Sequence, residues 1–162
     1  MSRIRIYPDL ILKEKAKEVK DFSNIHYLIE EMIKVMEEEK GIGLAANQIG
    51  VASQVLVGKQ DKNEKPIIII NPTIIEASGE DLMAEGCLSI PGVSVEISRA
   101  QIVLVRGFNE DGKEIEFRGE GLVARMLQHE IEHLNGILIV DHLPRKEFLK
   151  FQMEYGKKKE ER

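Results

Sequence analysis

At 162 residues, with 43% hydrophobic and 31% charged side chains, the sequence suits one folded domain, residues 1–162, able to bury a substantial core. A net charge of −5 argues against a nucleic-acid binder, which carries a basic face, so no DNA partner is expected. No run reaches the ~18 apolar residues of a membrane span, no apolar signal-peptide core opens the chain, and one cysteine excludes an internal disulfide and suits a reducing cytoplasm.

In chain order, residues 3–6 read as a short strand before Pro8, and Asp9 is placed to cap a short helix over 10–18. Ile25, Leu28, Ile29, Met32, Ile33 and Met36 recur at helical spacing and predict an amphipathic helix over 24–40, with Ser23 or Asn24 as its cap and Lys40 and Gly41 at its end. His26 lacks acidic or cysteine neighbours and reads as a surface residue. Gly41-Ile42-Gly43-Leu44-Ala45-Ala46-Asn47-Gln48-Ile49-Gly50 follows. It is either a helix stop with a tight turn, or a backbone kept bare for the approach of another group. A dinucleotide fingerprint fails here, because Ala46 holds its last glycine position and no strand precedes it.

Residues 54–58 and 66–71 read as strands on either side of a polar turn at Asp61–Lys65, with Asn71-Pro72 breaking the second before another strand over 73–77. Residues 93–98 and 101–108 alternate, and Asn109-Glu110-Asp111-Gly112 makes a hairpin turn into 113–118. A helix over 120–134 stops at Asn135-Gly136, and a short strand over 137–140 precedes a last amphipathic helix from Pro144 to about 157. The fold class is therefore α+β, with antiparallel sheets packed around a central helix and further helices toward each terminus. The tail run Lys157-Lys158-Lys159 is balanced by Glu160 and Glu161 and reads as a solvated helix end.

That central helix carries His129-Glu130-Ile131-Glu132-His133, an H-E-x-x-H pattern. The two imidazoles lie about 40° apart on one helix face, so both reach one metal ion, and Glu130 lies about 60° round from His133, within reach of a metal-bound water. A catalytic site needs a third protein ligand. The metzincin histidine would fall at Ile139, which excludes that class. His142 and Glu154 remain open as alternatives, the latter at a thermolysin-like separation. Cys87 is the stronger candidate, as the only cysteine, following Gly86 at a strand end with exposed backbone N–H groups beside it.

Three separated stretches resemble the motifs of the bacterial peptide deformylase family: Gly41 to Gln48, Glu85-Gly86-Cys87-Leu88-Ser89, and Gln128 to Leu134. With Ile6-Tyr7-Pro8-Asp9, the resemblance covers about residues 3–150. Small departures are visible: Asn47 where proline or threonine is usual, Glu132 where aspartate is usual, and Ser94 where some members carry an arginine near the peptide cleft.

The resemblance implies removal of the formyl group from N-formylmethionyl nascent polypeptides in the cytoplasm. It implies Cys87, His129 and His133 as ligands of one divalent ion, natively Fe²⁺, with Zn²⁺, Ni²⁺ or Co²⁺ as substitutes. Glu130 would move the proton, and the Gln48 amide with the Leu88 N–H would stabilise the oxyanion. Ile42, Gly43 and Gly86 would meet an extended peptide edge-on, and Leu122, Met126 and Ile42 would wall the methionine pocket. Docking of the C-terminal helix on the ribosome is a further expected contact. The other readings are a non-catalytic homologue that binds formyl-peptides and a thermolysin-type metalloprotease.

Overall fold

The computed structural model describes residues 3–60 and 65–160, and the side chains of 156–160 are outside the description. Most of the expected Asp61–Lys65 turn and the side chains of the tail lysines therefore lie outside the described residues.

Among the described residues, three longer helices, α1 (Ile25–Glu38), α2 (Leu122–Leu134) and α3 (Arg145–Glu160), pack with seven strands: β1 (Gly43–Ala45), β2 (Val55–Gly58), β3 (Ile67–Ser78), β4 (Asp81–Cys87), β5 (Ile90–Arg99), β6 (Ile102–Phe108) and β7 (Glu114–Glu120). Five strands form one antiparallel sheet in the order β1-β2-β3-β6-β7, and β4 pairs with β5 in a separate hairpin. This is the α+β architecture expected from the sequence.

The near-continuous apolar runs of β2 and β3 follow from a sheet covered on both faces. Leu56, Ile67 and Ile69 pack with Met126, Leu127 and Leu134 of α2. Their neighbours Val55, Val57 and Ile70 point the other way and pack with Ile29, Met32 and Met36 of α1. A third cluster joins Ile90, Val95 and Ile97 of β5 to Leu138, Val140 and Phe151, and so seats α3 on the hairpin. Each face buries its own apolar set, so the period-two side-chain alternation fixes the register.

Several local expectations are corrected. Residues 3–6 form no strand; Arg5 N–H donates to Gln48 O at 2.6 Å. Asp9 caps a single 3₁₀ turn, Leu10–Lys13, through Ile11 N–H, rather than a helix reaching residue 18. Asn24 stands at the N-terminus of α1 without a side-chain capping bond among the described residues. Asn71-Pro72 does not end a strand. Asn71 adopts φ 54° inside β3, and its amide is held by Val19 N–H (2.8 Å) and Val19 O (2.9 Å), so the pair makes a bulge that β3 runs through. Residues 137–140 are not a strand. Asp141 accepts from Leu138 N–H at 2.8 Å and closes a 3₁₀ turn, Ile139–His142, whose apolar residues fill the third cluster.

Candidate metal centre

Two elements meet at the site. α2 supplies His129, Glu130 and His133, and the end of β4 supplies Cys87. The helix is set in place at both ends of its working turn. Gln128 accepts from Ala100 N–H at 3.0 Å and donates to Ala100 O at 2.9 Å, which clamps α2 to the turn after β5. Gly136, at φ 74°, ends the helix against the Lys13 backbone, where a Cβ would lie 2.4 Å from Lys13 O.

Cys87 Sγ lies 3.2 Å from His133 Nε2, which lies 3.2 Å from His129 Nε2, and the three donor atoms fall within 4.8 Å of one another. Among the described residues this is the cluster of its kind able to hold a metal ion. Of the alternative third ligands, His142 Nε2–H donates instead to the Glu132 carboxylate, and Glu154 is exposed on α3 beside Ser94 in a groove separate from this cluster.

Behind the cluster, Glu85 accepts from His129 Nδ1–H at 2.9 Å, which fixes the ring and turns its Nε2 toward the other two donor atoms. Arg99 holds Glu85 with a two-pronged fork, Nε at 2.8 Å and a terminal nitrogen at 2.9 Å, and Arg125 adds a third guanidinium bond. Burial opposes ionisation of Glu85, yet the bonds from Arg99 and His129 outweigh it and hold its carboxyl well below the usual carboxylate range. Burial pushes the His133 ring well down, to the neutral form, and the neighbouring His129 charge adds to that. His129 moves the other way: burial disfavours its charge, but Glu130, Cys87 and Glu85 together raise it.

The donor set fits a soft or borderline divalent cation: one thiol and two imidazole nitrogens aimed at a common point, with an oriented ring behind. Glu130 adds a second observation. It is 4% exposed, and its Oε1 has no hydrogen-bond partner among the described residues. Burial pushes this carboxyl up to about 7.

Cys87, His129 and Glu130 line a cleft of about 570 Å³, whose walls also carry Gln48, Gly86, Leu88, Ile42, Gly43, Leu122 and Met126. His133, 1% exposed, is held in the cluster without lining the cleft. Gln48 is fixed by Ala45 N–H donating to its Oε1 at 3.0 Å, and its Nε2 donates to Ser89 Oγ at 3.2 Å and toward Cys87 Sγ at 3.8 Å. Ile42 and Leu122 are exposed at the mouth, at 49% and 57%, whereas Met126 is buried beneath them. The bare face of Gly43 is occupied by α2: a Cβ there would lie 2.5 Å from Met126 Cγ and 2.8 Å from Glu130 Oε2. Gly86 is open: among the described residues only Val93 O, at 3.7 Å, comes within contact distance of such an atom.

Sequence reasoning missed Arg99, Arg125 and the role of Glu85, and missed Met83 as a wall of the cleft. Two charged residues on an otherwise apolar strand end and helix face were the available signal, but nothing in the sequence says that they meet.

The family model described as polypeptide deformylase matches residues 1–148. Among curated relatives, a peptide deformylase of Carboxydothermus hydrogenoformans is 52% identical over 134 residues, 82% of this chain and 87% of that protein. One of Thermodesulfovibrio yellowstonii is 44% identical over 144 residues, 86% of this chain and 87% of the relative. Among solved structures, a peptide deformylase from Legionella pneumophila superposes with a TM-score of 0.90 at 40% identity, covering 99% of this chain and 96% of that one. A peptide deformylase from Synechococcus elongatus, solved in complex with actinonin, gives 0.87 at 35% identity over 96% of this chain and 88% of that one.

Proposed function

The chain belongs to the polypeptide deformylase family, a hydrolase that removes the formyl group from N-formylmethionyl nascent polypeptides, and we propose that Cys87, His129 and His133 hold its metal while Glu130 moves the proton. The convergence of one sulfur and two ring nitrogens near a buried carboxylate whose Oε1 has no hydrogen-bond partner among the described residues carries this reading.

A divalent cation in such a cage supplies Lewis acidity, lowering the pKa of a water toward neutrality and polarising a carbonyl oxygen. The resident ion in this reading is Fe²⁺, the ion that the family resemblance implies, and the thiol-imidazole set also accommodates Zn²⁺, Ni²⁺ and Co²⁺. The remaining work falls to the chain's own residues. Glu130 Oε1 accepts the proton of the attacking water and returns it to the departing amine nitrogen as the C–N bond of the formamide breaks and formate leaves. The Gln48 Nε2–H and the Leu88 backbone N–H donate to the oxygen that gains charge during attack, and one such donor is typically worth about 3 kcal/mol in the transition state.

Substrate recognition follows from the strand edges. Among the described residues, β1 pairs only with β2 and β4 only with β5, so each leaves an edge at the cleft that carries Gly43 and Gly86. An extended peptide laid between them bonds through its main chain, while Ile42, Leu122 and Met126 enclose the methionine side chain. Recognition of one side chain and otherwise backbone suits an enzyme that serves many nascent chains.

No helix among the described residues is long and apolar enough to cross a membrane, and we place the protein in the cytoplasm beside its substrate. The C-terminal helix with Lys157, Lys158 and Lys159 is the proposed contact to the ribosome. Formate release from a formyl-Met peptide after anaerobic Fe²⁺ loading tests the function, with acetyl-Met peptide as control. Rapid release from the first and none from the second is expected, and absence of formate from the loaded enzyme would overturn it.

A further inference from the structure

The shell behind His129 continues past Glu85, and its outer half sets the charge that the cage experiences. Glu85 uses its full accepting capacity: Oε1 takes His129 Nδ1–H and one Arg99 N–H, and Oε2 takes the second Arg99 N–H and one from Arg125. Two buried guanidiniums thus face one buried carboxylate. Left so, the shell would carry an extra positive charge beside a site for a dication. Asp81 lies 3.8 Å from Arg125, but it is 46% exposed and therefore screened by water.

The balancing charge comes from α2 itself. Arg99 donates a further bond to Glu132 Oε1 at 2.5 Å, and His142 Nε2–H donates to both oxygens of the same carboxylate, at 2.8 and 3.0 Å. One side of Arg99 therefore grips the acid that orients His129, and the other grips an acid one residue before His133.

We propose that Glu132 is a positioning residue of the cation site: through Arg99 it holds Glu85 against His129, and its charge neutralises the buried arginine pair behind the cage. Here Glu132 acts through Arg99 and touches neither substrate nor ion, and the inference rests on the reading of Cys87, His129 and His133 as the cage.

Co²⁺ titrated anaerobically into metal-stripped protein, read by visible absorption, tests it alongside thermal unfolding of the metal-free chain. Glu132→Gln, which keeps the shape and removes the charge, is expected to lose about 10–100-fold in Co²⁺ affinity. Glu132→Asp, which keeps the charge, should recover most of that loss. Unchanged affinity in Glu132→Gln overturns the proposal. So does an equal loss in both variants that tracks an equal loss of thermal stability, since that marks a general packing role. If Glu132→Gln fails to fold, His142→Leu, which removes the ring that holds the Glu132 carboxylate in place, carries the test through a weakened Co²⁺ affinity, and unchanged affinity there overturns it. Failure of the unaltered protein to take up one Co²⁺ per chain would instead refute the cage.

Discussion

Glu130 is buried, yet one of its oxygens has no hydrogen-bond partner among the described residues, a costly arrangement that a functional contact would relieve. Glu130→Ala should therefore keep its bound metal and lose about 10²–10⁴-fold in turnover, the usual worth of a positioned proton carrier. Metal analysis beside formate release checks this, and an unchanged rate would remove Glu130 from the proton-transfer role. The convergence of Cys87, His129 and His133 was legible at this scale because ligand chemistry is written in residue identity and spacing: two histidines one helical turn apart, and the only cysteine in a glycine-flanked turn. Arg99 and Arg125 were not legible. Their meeting with Glu85 depends on the β4-β5 register, which sets Asp81 opposite Arg99 and Glu85 opposite Val95, and on how α2 crosses that hairpin.

Among the elements, the periodic ones were legible and the short or interrupted ones were not. The apolar stripe of α1 and the alternation of β5 to β7 announce themselves, because each buries one face repeatedly. β1 was hidden by its length of three residues, which shows no period. The run Ile137-Leu138-Ile139-Val140 misled because an apolar segment without alternation fits a buried turn as well as a strand. Asn71-Pro72 misled differently: tertiary bonds from Asn71 to Val19 keep β3 going through a dipeptide that locally favours a break. Asn71→Ala removes both bonds and leaves a non-glycine side chain at positive φ. It is expected to cost about 1–3 kcal/mol, measured by urea unfolding, while the Co²⁺ affinity stays unchanged.

Across the whole molecule, the hairpin and α2 are joined by a cluster of the buried Glu85, Arg99 and Arg125 with the partly exposed Glu132. Such a cluster makes stability depend on pH with a definite sign. Glu85 titrates below its unfolded value of about 4.3, so its contribution is fully present above that pH. The contribution is lost as the pH falls further toward the depressed folded value. Urea unfolding of metal-free protein should thus show a steep loss of stability below about pH 4.3 that is shallower in Glu85→Gln, and parallel profiles would contradict the assignment. The proposed activity requires that the sulfur of the hairpin and the two rings of α2 share one ion. X-ray absorption of protein loaded with Zn²⁺ tests this most directly. It should show one sulfur at about 2.3 Å and two imidazole nitrogens at about 2.0–2.1 Å, whereas a shell of nitrogen and oxygen without sulfur would contradict it.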